Sequence, residues 1–291
     1  MAEISIVIVT WNAEDEILNC LESVMVNIRL LKPVETEIIV IDNNSSDKTV
    51  EIIKNLKFDN IELFQNSSNL GYTKAANQGI KNSTGKYVFL LNPDTIMNED
   101  CVSGLYEFLE TNEEYCAASP RLLNEYGSIQ YSIRNFPDYT AMFFHHSLLS
   151  YLFPRSKIFG KWKMEYFDYS QDADVLQPMA AALMLRKDEL DKAGNMDERF
   201  EMFFNDVDLC MKINMNGSKI RYLKNAAAMH KKGASIYKNR VKMIKTWNRD
   251  CIKYFKKYHY NFILIGWLKA TLFVSGILRI FIYKLTGGNK Y

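Results

Sequence analysis

Residues 4–12 read Ile-Ser-Ile-Val-Ile-Val-Thr-Trp-Asn, a β-branched run that ends in a polar cluster. The run from Ile4 to Val9 predicts a buried strand, and apolar residues from Ile17 to Leu31 then recur with helical spacing, with Asn12 as the helix cap. The alternation continues with strands at 37–42, 61–64 and 87–91 and helices at 47–56 and 73–81. Strands that alternate with helices favour a parallel sheet with right-handed crossovers.

Polar clusters follow three of these strands, at 10–12, 42–47 and 92–95. Ligands of such sheets bind beyond the carboxyl ends of the strands. Neither a GxGxxG turn nor a GxxxxGK[ST] loop occurs, so a bound nucleotide is expected to be held by side chains and a metal.

Two aspartates at strand ends each allow two interpretations. Asp42 is placed to accept the imide hydrogen of uracil or thymine, but the 42–47 segment is also typical of a turn and helix cap. Asp94 is suited to bind Mg²⁺ or Mn²⁺ beside a diphosphate, but Asn92-Pro93-Asp94-Thr95 is also typical of a type I turn. Gly71 and Asn77 likewise allow either a ligand-binding or a structural interpretation, because such residues also turn the chain and cap helices.

The third aspartate, Asp206, begins a helix predicted over 207–215. An acid there complements the helix dipole, but the preceding Met202-Phe-Phe204 also predicts an apolar surrounding that raises its pKa towards that of a general base. His230 follows a run of alanines and is either a metal ligand or a structural histidine. Secondary structure cannot be assigned over 127–174, where aromatic residues are dense; a strand is expected near 220–223.

The composition predicts one folded catalytic domain with an appendage. Hydrophobic residues make up 48% of the 291 residues and charged residues 24%. None of the five cysteines forms a CxxC pair, which favours reduced thiols in the cytoplasm. The net charge of +2 suggests no nucleic-acid partner, although thirteen basic residues stand between 219 and 261 against the single acid Asp250.

The C-terminal stretch 262–283 is strongly apolar but contains Lys269 and Arg279. These charges argue against a simple transmembrane helix and favour an amphipathic helix lying on an anionic membrane surface. The alternative is a helix that packs on the catalytic domain or on a second subunit in a homodimer.

In their order and spacing, these segments resemble family 2 glycosyltransferases with the GT-A fold, specifically the rhamnosyltransferase-like branch. The resemblance covers Ile6 to about Ser235 and is carried by these segments: Val7–Asn12, Asp42–Asp47, Asn69–Tyr72, Ala76–Gly79, Leu91–Thr95, Ala181–Arg186, Gly194–Phe200, Phe204–Cys210 and His230–Ser235.

The resemblance implies a metal-dependent, inverting transferase that moves a sugar, L-rhamnose from dTDP-L-rhamnose first and a UDP-hexose second, onto a lipid-linked glycan. It implies that Asp206 is the base and that Asp94 and His230 bind Mg²⁺ or Mn²⁺. The implied donor-binding residues are Thr10, Asn12, Asp42, Asn44, Gly71, Asn77, Asn92 and Asp94.

The implied boundaries are a GT-A catalytic domain over 1–235, with a donor half over about 1–100 and an acceptor half over about 101–235, and a basic, amphipathic helical region over 236–291. Two departures from the family pattern are Asn205, where Glu is commoner, and Ala180, where Gly is common. Asn205 therefore supports an alternative, in which the protein is an inactive scaffold that binds a sugar nucleotide. A nucleotidyltransferase is disfavoured, because a glycine-rich activating loop is missing.

Overall fold

The structure is a computed structural model that describes residues 2–56, 58, 60–231 and 240–285. In chain order its strands are β1 Ile4–Thr10, β2 Thr36–Asp42, β3 Ile61–Gln65, β4 Tyr87–Leu91, β5 Thr95–Met97, β6 Tyr115–Leu123, β7 Ile133–Arg134, β8 Ala173–Val175, β9 Gln177–Pro178, β10 Ala182–Arg186 and β11 Lys219–His230. Its helices are α1 Ile17–Leu30, α2 Thr49–Asn55, α3 Tyr72–Asn82, α4 Cys101–Thr111, α5 Tyr139–His145, α6 Leu148–Leu152, α7 Lys187–Lys192, α8 Asn205–Met215, α9 Arg240–Tyr258 and α10 Phe262–Leu285.

The first four strands form the predicted parallel sheet, in the order β3-β2-β1-β4. Alternate residues of β1 enter two different cores because successive side chains of a strand point to opposite faces. Ile4, Ile6 and Ile8 pack with α1, whereas Val7 and Val9 pack with α3. Helices therefore cover both faces, as predicted for an α/β fold.

The sheet continues past β4 as β10-β6-β11-β5, with β10 antiparallel to both β4 and β6. The predicted strand at 220–223 is much longer, because a register shift between Leu223 and Ala227 lets β11 continue through small residues to His230. This extension carries His230 to the end of the sheet where Asp94 lies, through the pairing of β11 with β5.

The predicted cap of the first helix is wrong. The helix begins at Ile17, with Glu16 preceding it, and Asn12 lies four residues earlier in a left-handed conformation with φ 51°. Its side chain instead accepts hydrogen bonds from Ser46 across the neighbouring loop.

Helices α9 and α10 pack on the catalytic part of the chain. Cys251, Tyr254 and Phe255 of α9 and Leu268 and Leu272 of α10 share one core, and that core also contains Phe200, Phe204 and Val207. The predicted boundary at 235 lies outside the described residues.

Helix α10 runs unbroken past Lys269 and Arg279. By length and composition it suffices to cross a membrane. One face of α10 is buried against the protein and is formed by Ile265, Leu268, Leu272 and Gly276. Most of the other apolar residues of the helix are exposed.

Candidate active site

At the carboxyl ends of β1 and β2, Thr10 and Asp42 lie side by side in register. Both side chains are buried, and one carboxylate oxygen of Asp42 accepts a hydrogen bond from Ser45 N at 3.0 Å. Within the described residues, the other oxygen, Oδ1, and the hydroxyl of Thr10 have no hydrogen-bond partner. Buried polar atoms normally have partners, so this pair fits a ligand that brings its own polar groups, such as a pyrimidine.

The loops around this pair are tied together by hydrogen bonds. Asn12 N donates to Ser45 Oγ at 2.9 Å, and Asn12 Oδ1 accepts from Ser46 N at 2.8 Å. The 42–47 segment thus forms the turn that was the alternative to base binding. Within the described residues, Asp42 nevertheless keeps one carboxylate oxygen without a hydrogen-bond partner.

Of the two asparagines after Asp42, Asn43 organises the site. Its side chain donates to Gly71 O at 3.2 Å and accepts from Leu70 N at 3.0 Å, whereas the predicted Asn44 is exposed with φ 66°. Gly71 needs its lack of a side chain, because φ is 85° and a Cβ would lie 3.3 Å from Glu201 O. Sequence alone gives no sign of which of two adjacent asparagines points inward.

Asn77 does not join this group. Its amide exchanges hydrogen bonds with the backbone of Met196, donating at 2.8 Å and accepting at 3.1 Å, and also donates to Glu198. We therefore assign it a structural role, connecting α3 to the loop before α8, and leave it out of the proposed site.

The structure brings Asp94 and His230 together, with Asp94 Oδ1 3.3 Å from His230 Nε2. The amide nitrogen of Asn92 lies 3.5 Å from the same ring nitrogen. All three side chains are at the ends of strands or in the turn that follows one, as the sequence predicts for Asn92 and Asp94.

Gln130, which the sequence did not reveal, fixes the orientation of His230. Its amide nitrogen donates to the His230 carbonyl at 3.1 Å, so its amide oxygen is the atom that faces His230 Nδ1 at 2.8 Å. Nδ1 must then carry a proton. In the neutral ring Nε2 therefore has a lone pair that faces the carboxylate.

A carboxylate oxygen and an imidazole lone pair at this distance suit a shared cation. Oxygen and imidazole groups are both metal ligands, and the hydrogen bond from Nδ1 is the outer contact that metal-binding histidines usually make. Within the described residues no cluster of three or more His, Cys, Asp or Glu side chains is suited to a metal. The pair thus fits a cation that takes its other ligands from a diphosphate and water.

Asp206 is the second residue of α8, and the helix begins directly after Phe204, whose φ of 62° is left-handed. Its Oδ1 accepts from its neighbour Val207 N at 2.8 Å, and its Oδ2 accepts from Gln177 Nε2 at 3.3 Å. Burial raises the pKa of the Asp206 carboxyl, and the guanidinium of Arg134 opposes that rise. The direction is the one predicted for a general base.

Asn205, the departure from the family pattern, is buried and connects two helices. Its Nδ2 donates to Thr73 Oγ1 of α3 at 3.0 Å, and its Oδ1 lies close to the amide of Asp206. The asparagine therefore supports the backbone that carries Asp206.

Tyr72 lies near both acidic groups. Burial raises the pKa of its hydroxyl, and the negative charges of Asp206 and Asp94 raise it further. Both carboxylates are therefore close enough to Tyr72 for their charges to disfavour its ionisation.

Arg134 is the charged neighbour of Asp206 that the sequence analysis missed. It pairs with Gln177 across β7 and β9, and its guanidinium lies 5.0 Å from the ring centre of Trp162. Trp162 in turn stacks on Phe204, at 6.4 Å with an angle of 10° between the rings. No sequence signal marked Arg134, because it lies in the aperiodic stretch 127–174.

Comparison with known proteins gives a consistent result. A family model described as "Glycosyl transferase family 2" matches residues 5–170, more than half of the chain. An N-acetylglucosaminyl-diphospho-decaprenol L-rhamnosyltransferase of Mycobacterium tuberculosis is 22% identical over 263 residues, which are 87% of this chain and 83% of that protein.

A poly-beta-1,6-N-acetyl-D-glucosamine synthase of Staphylococcus aureus is 33% identical over 125 residues, 42% of this chain but only 29% of the synthase. Among solved structures, S. aureus TarS 1-349 in complex with UDP-GlcNAc has a TM-score of 0.58 at 16% identity, covering 94% of this chain and 72% of that one. A structure of the same protein in complex with UDP is also similar, with a TM-score of 0.57 at 16% identity over 94% and 71% of the two chains. These structural likenesses establish the fold.

Proposed function

The chain belongs to glycosyl transferase family 2, and from that premise we propose that it is a metal-dependent, inverting transferase with Asp206 as its base. The carrying observation is that the two residues before β10 contact both the turn that contains Asp94 and the carboxylate of Asp206: Ala181 O accepts from Asn92 N at 2.9 Å, and the backbone amide of Ala180 hydrogen-bonds to the Asp206 carboxylate. We therefore assign Asp94 to the donor diphosphate and Asp206 to the acceptor hydroxyl.

The reaction is a single displacement. Asp206 takes the proton of the acceptor hydroxyl while that oxygen forms a bond to the anomeric carbon. The bond from this carbon to the diphosphate breaks, and the nucleoside diphosphate leaves with inversion of configuration. Asp206 must be ionised to act, and Arg134 favours its ionised form.

Asp94 and His230 would hold Mg²⁺ or Mn²⁺, with Asn92 beside them. When bound, such a cation neutralises charge that develops on the departing diphosphate. Thr10 and Asp42 would bind the pyrimidine through their unpartnered polar atoms, framed by the loops that contain Asn12, Asn44 and Gly71.

We assign L-rhamnose, carried by dTDP, as the favoured sugar and a lipid-linked glycan as the acceptor. The support is the similarity, along most of both chains, to the mycobacterial protein that is named as a rhamnosyltransferase acting on a diphospho-decaprenol. A UDP-hexose is the second candidate, because similar structures contain UDP and UDP-GlcNAc.

A lipid-linked acceptor places the enzyme on the cytoplasmic face of the cell membrane, where α10 supplies apolar surface. The five cysteines are all free and buried, which suits a reducing compartment.

The test is transfer from a panel of dTDP- and UDP-sugars to a lipid-linked N-acetylglucosamine acceptor, with product configuration determined by NMR. Turnover with one donor and inversion is expected. Donor hydrolysis and transfer that both remain at background with every sugar would favour the inactive scaffold.

The cation is tested by donor calorimetry with Asp94→Ala and with EDTA. Each is expected to weaken binding on the order of 100-fold, through loss of charge stabilisation at the diphosphate. Glu99→Ala, which removes an exposed acid from the turn on the other side of β5, is the control. Equal donor affinity for the unmodified protein with and without EDTA, for Asp94→Ala and for Glu99→Ala would exclude the metal assignment.

A further inference from the structure

An exposed apolar surface lies on the segment that follows β7, which we call the hairpin (residues 139–158, α5, α6 and the loop after them). Six large apolar side chains between 143 and 158 are at least 44% exposed: Phe143, Leu148, Tyr151, Leu152, Phe153 and Ile158. Scattered exposed apolar residues are ordinary, but several within one short segment mark an interaction surface.

The base of the hairpin is fixed to the protein. Ala141 and Met142 are buried in the core shared with Phe200 and Phe204. The hydroxyl of Tyr139 donates to the carbonyl of His259 at 2.7 Å. The exposed residues are therefore held outward by a packed base.

The hairpin surface is continuous with that of α10. The ring of Phe143 contacts the ring of Trp267, with centroids 5.4 Å apart. Beyond Trp267, the outer face of α10 exposes Phe273, Val274, Ile277 and Phe281, each by at least 54%. Two segments more than a hundred residues apart in sequence thus form one apolar face.

The charged residues within the two segments that form this face are all of one sign. Neither 139–164 nor 251–291 contains an aspartate or glutamate. Arg155 and Lys157 are exposed on the hairpin, and Lys269 and Lys284 are exposed on α10. A symmetric dimer would place these cations against each other, whereas anionic headgroups would neutralise them.

We propose that the hairpin and the outer face of α10 together form one docking surface for an anionic lipid bilayer. This rests on the proposed function, because a lipid-linked acceptor requires an active site beside the membrane. The hairpin begins five residues after Arg134, the charged neighbour of Asp206. Docking through the hairpin would bring the membrane to the acceptor side of the site, which a lone anchor at α10 would not require.

The test is co-sedimentation of the full chain with phosphatidylglycerol-phosphatidylcholine vesicles. Leu148→Glu combined with Leu152→Glu places two acids on the exposed face of α6. This variant is expected to lower the partition coefficient by about tenfold or more, since two apolar contacts are lost and two repulsive charges are added. Binding of the unmodified chain should weaken in high salt and on phosphatidylcholine alone.

Leu30→Glu combined with Met215→Glu is the matched control, with equally exposed apolar residues on α1 and α8. It should bind vesicles as the unmodified chain does, and all variants should keep their affinity for UDP if they are folded. A hairpin variant that binds vesicles like the control would overturn the inference. So would light scattering that shows a dimer which the hairpin variant dissociates.

A third variant, Ile277→Glu with Phe281→Glu on α10, separates this inference from the proposed function. Loss of binding here but not in the hairpin variant would leave α10 as the only anchor. Transfer to a soluble acceptor analogue by the same proteins tests catalysis independently of vesicles.

Discussion

The two regions that we propose as the donor half and the acceptor half place their polar residues in different ways. In the donor half, Thr10, Asp42 and Asp94 stand at or just after strand ends, so local sequence already orders them. In the acceptor half, Asp206 is held by residues from distant segments: Thr73 through Asn205, Gln177 of β9, and the core of α9. The donor side is thus a property of neighbouring strands, whereas the acceptor side depends on the whole fold.

The largest expected effect is on turnover. Asp206→Asn should keep donor affinity while kcat falls by roughly 10²- to 10⁴-fold, the usual loss for a general base. Steady-state kinetics and calorimetry with the same donor would separate the two quantities. Near-normal turnover in this variant would remove Asp206 from its role and leave the acceptor half without a base.

The dependence of the acceptor half on α9 is tested at Asp250. This buried carboxylate accepts from the backbone amides of Met202 and Phe203, at 3.4 and 3.3 Å, and from Lys253 at 3.2 Å. Asp250→Ala should lower the free energy of unfolding by about 3 kcal/mol, because two buried amides and a cation lose their acceptor.

Urea unfolding would measure this loss, with Lys256→Ala as the control, since it removes an exposed cation from the same helix and exposed charges contribute little. Burial raises the pKa of the Asp250 carboxyl, so its charge is costly to keep inside the protein. Asp250→Asn, which retains an acceptor without that charge, should therefore lose less stability than the alanine variant. Equal losses for Asp250→Ala and Lys256→Ala would mean that the hydrogen bonds of Asp250 do not stabilise the packing of α9 on the rest of the protein.

The smallest expected effect concerns Arg134 and pH. In the unmodified enzyme, burial raises the pKa of Asp206, so kcat/KM should fall with acidification at higher pH than for an ordinary aspartate. Arg134→Met removes the group that opposes this rise, so the acid limb of the profile should move to still higher pH, with a several-fold loss at neutral pH. In Arg134→Lys, the acid limb of the kcat/KM profile should return most of the way to its pH in the unmodified protein. A uniformly reduced profile with an unmoved limb would indicate a structural role only.

The same contrast explains what sequence could predict. The strand and helix order of the donor half, Asp42, Asp94 and the pairing of Asp94 with His230 follow from local patterns and family resemblance. Gln130, Gln177 and Arg134 are fixed by contacts between segments that have no regular periodicity. Asn43 rather than Asn44 points into the site, and Asn44 has a left-handed φ of 66° that the sequence does not reveal. The packing of α9 depends on an aromatic core whose residues come from distant segments.

The contact between Gln130 and His230 spans one hundred positions in the chain. His230 ends β11, which among the described strands is the last to be synthesised. A nascent chain in which only the first four strands have paired contains Asp42 and Asp94 but has no imidazole beside Asp94. The proposed cation site is therefore complete only once β11 has been synthesised, so a stalled or truncated chain is expected to bind donor poorly even where its first half is native.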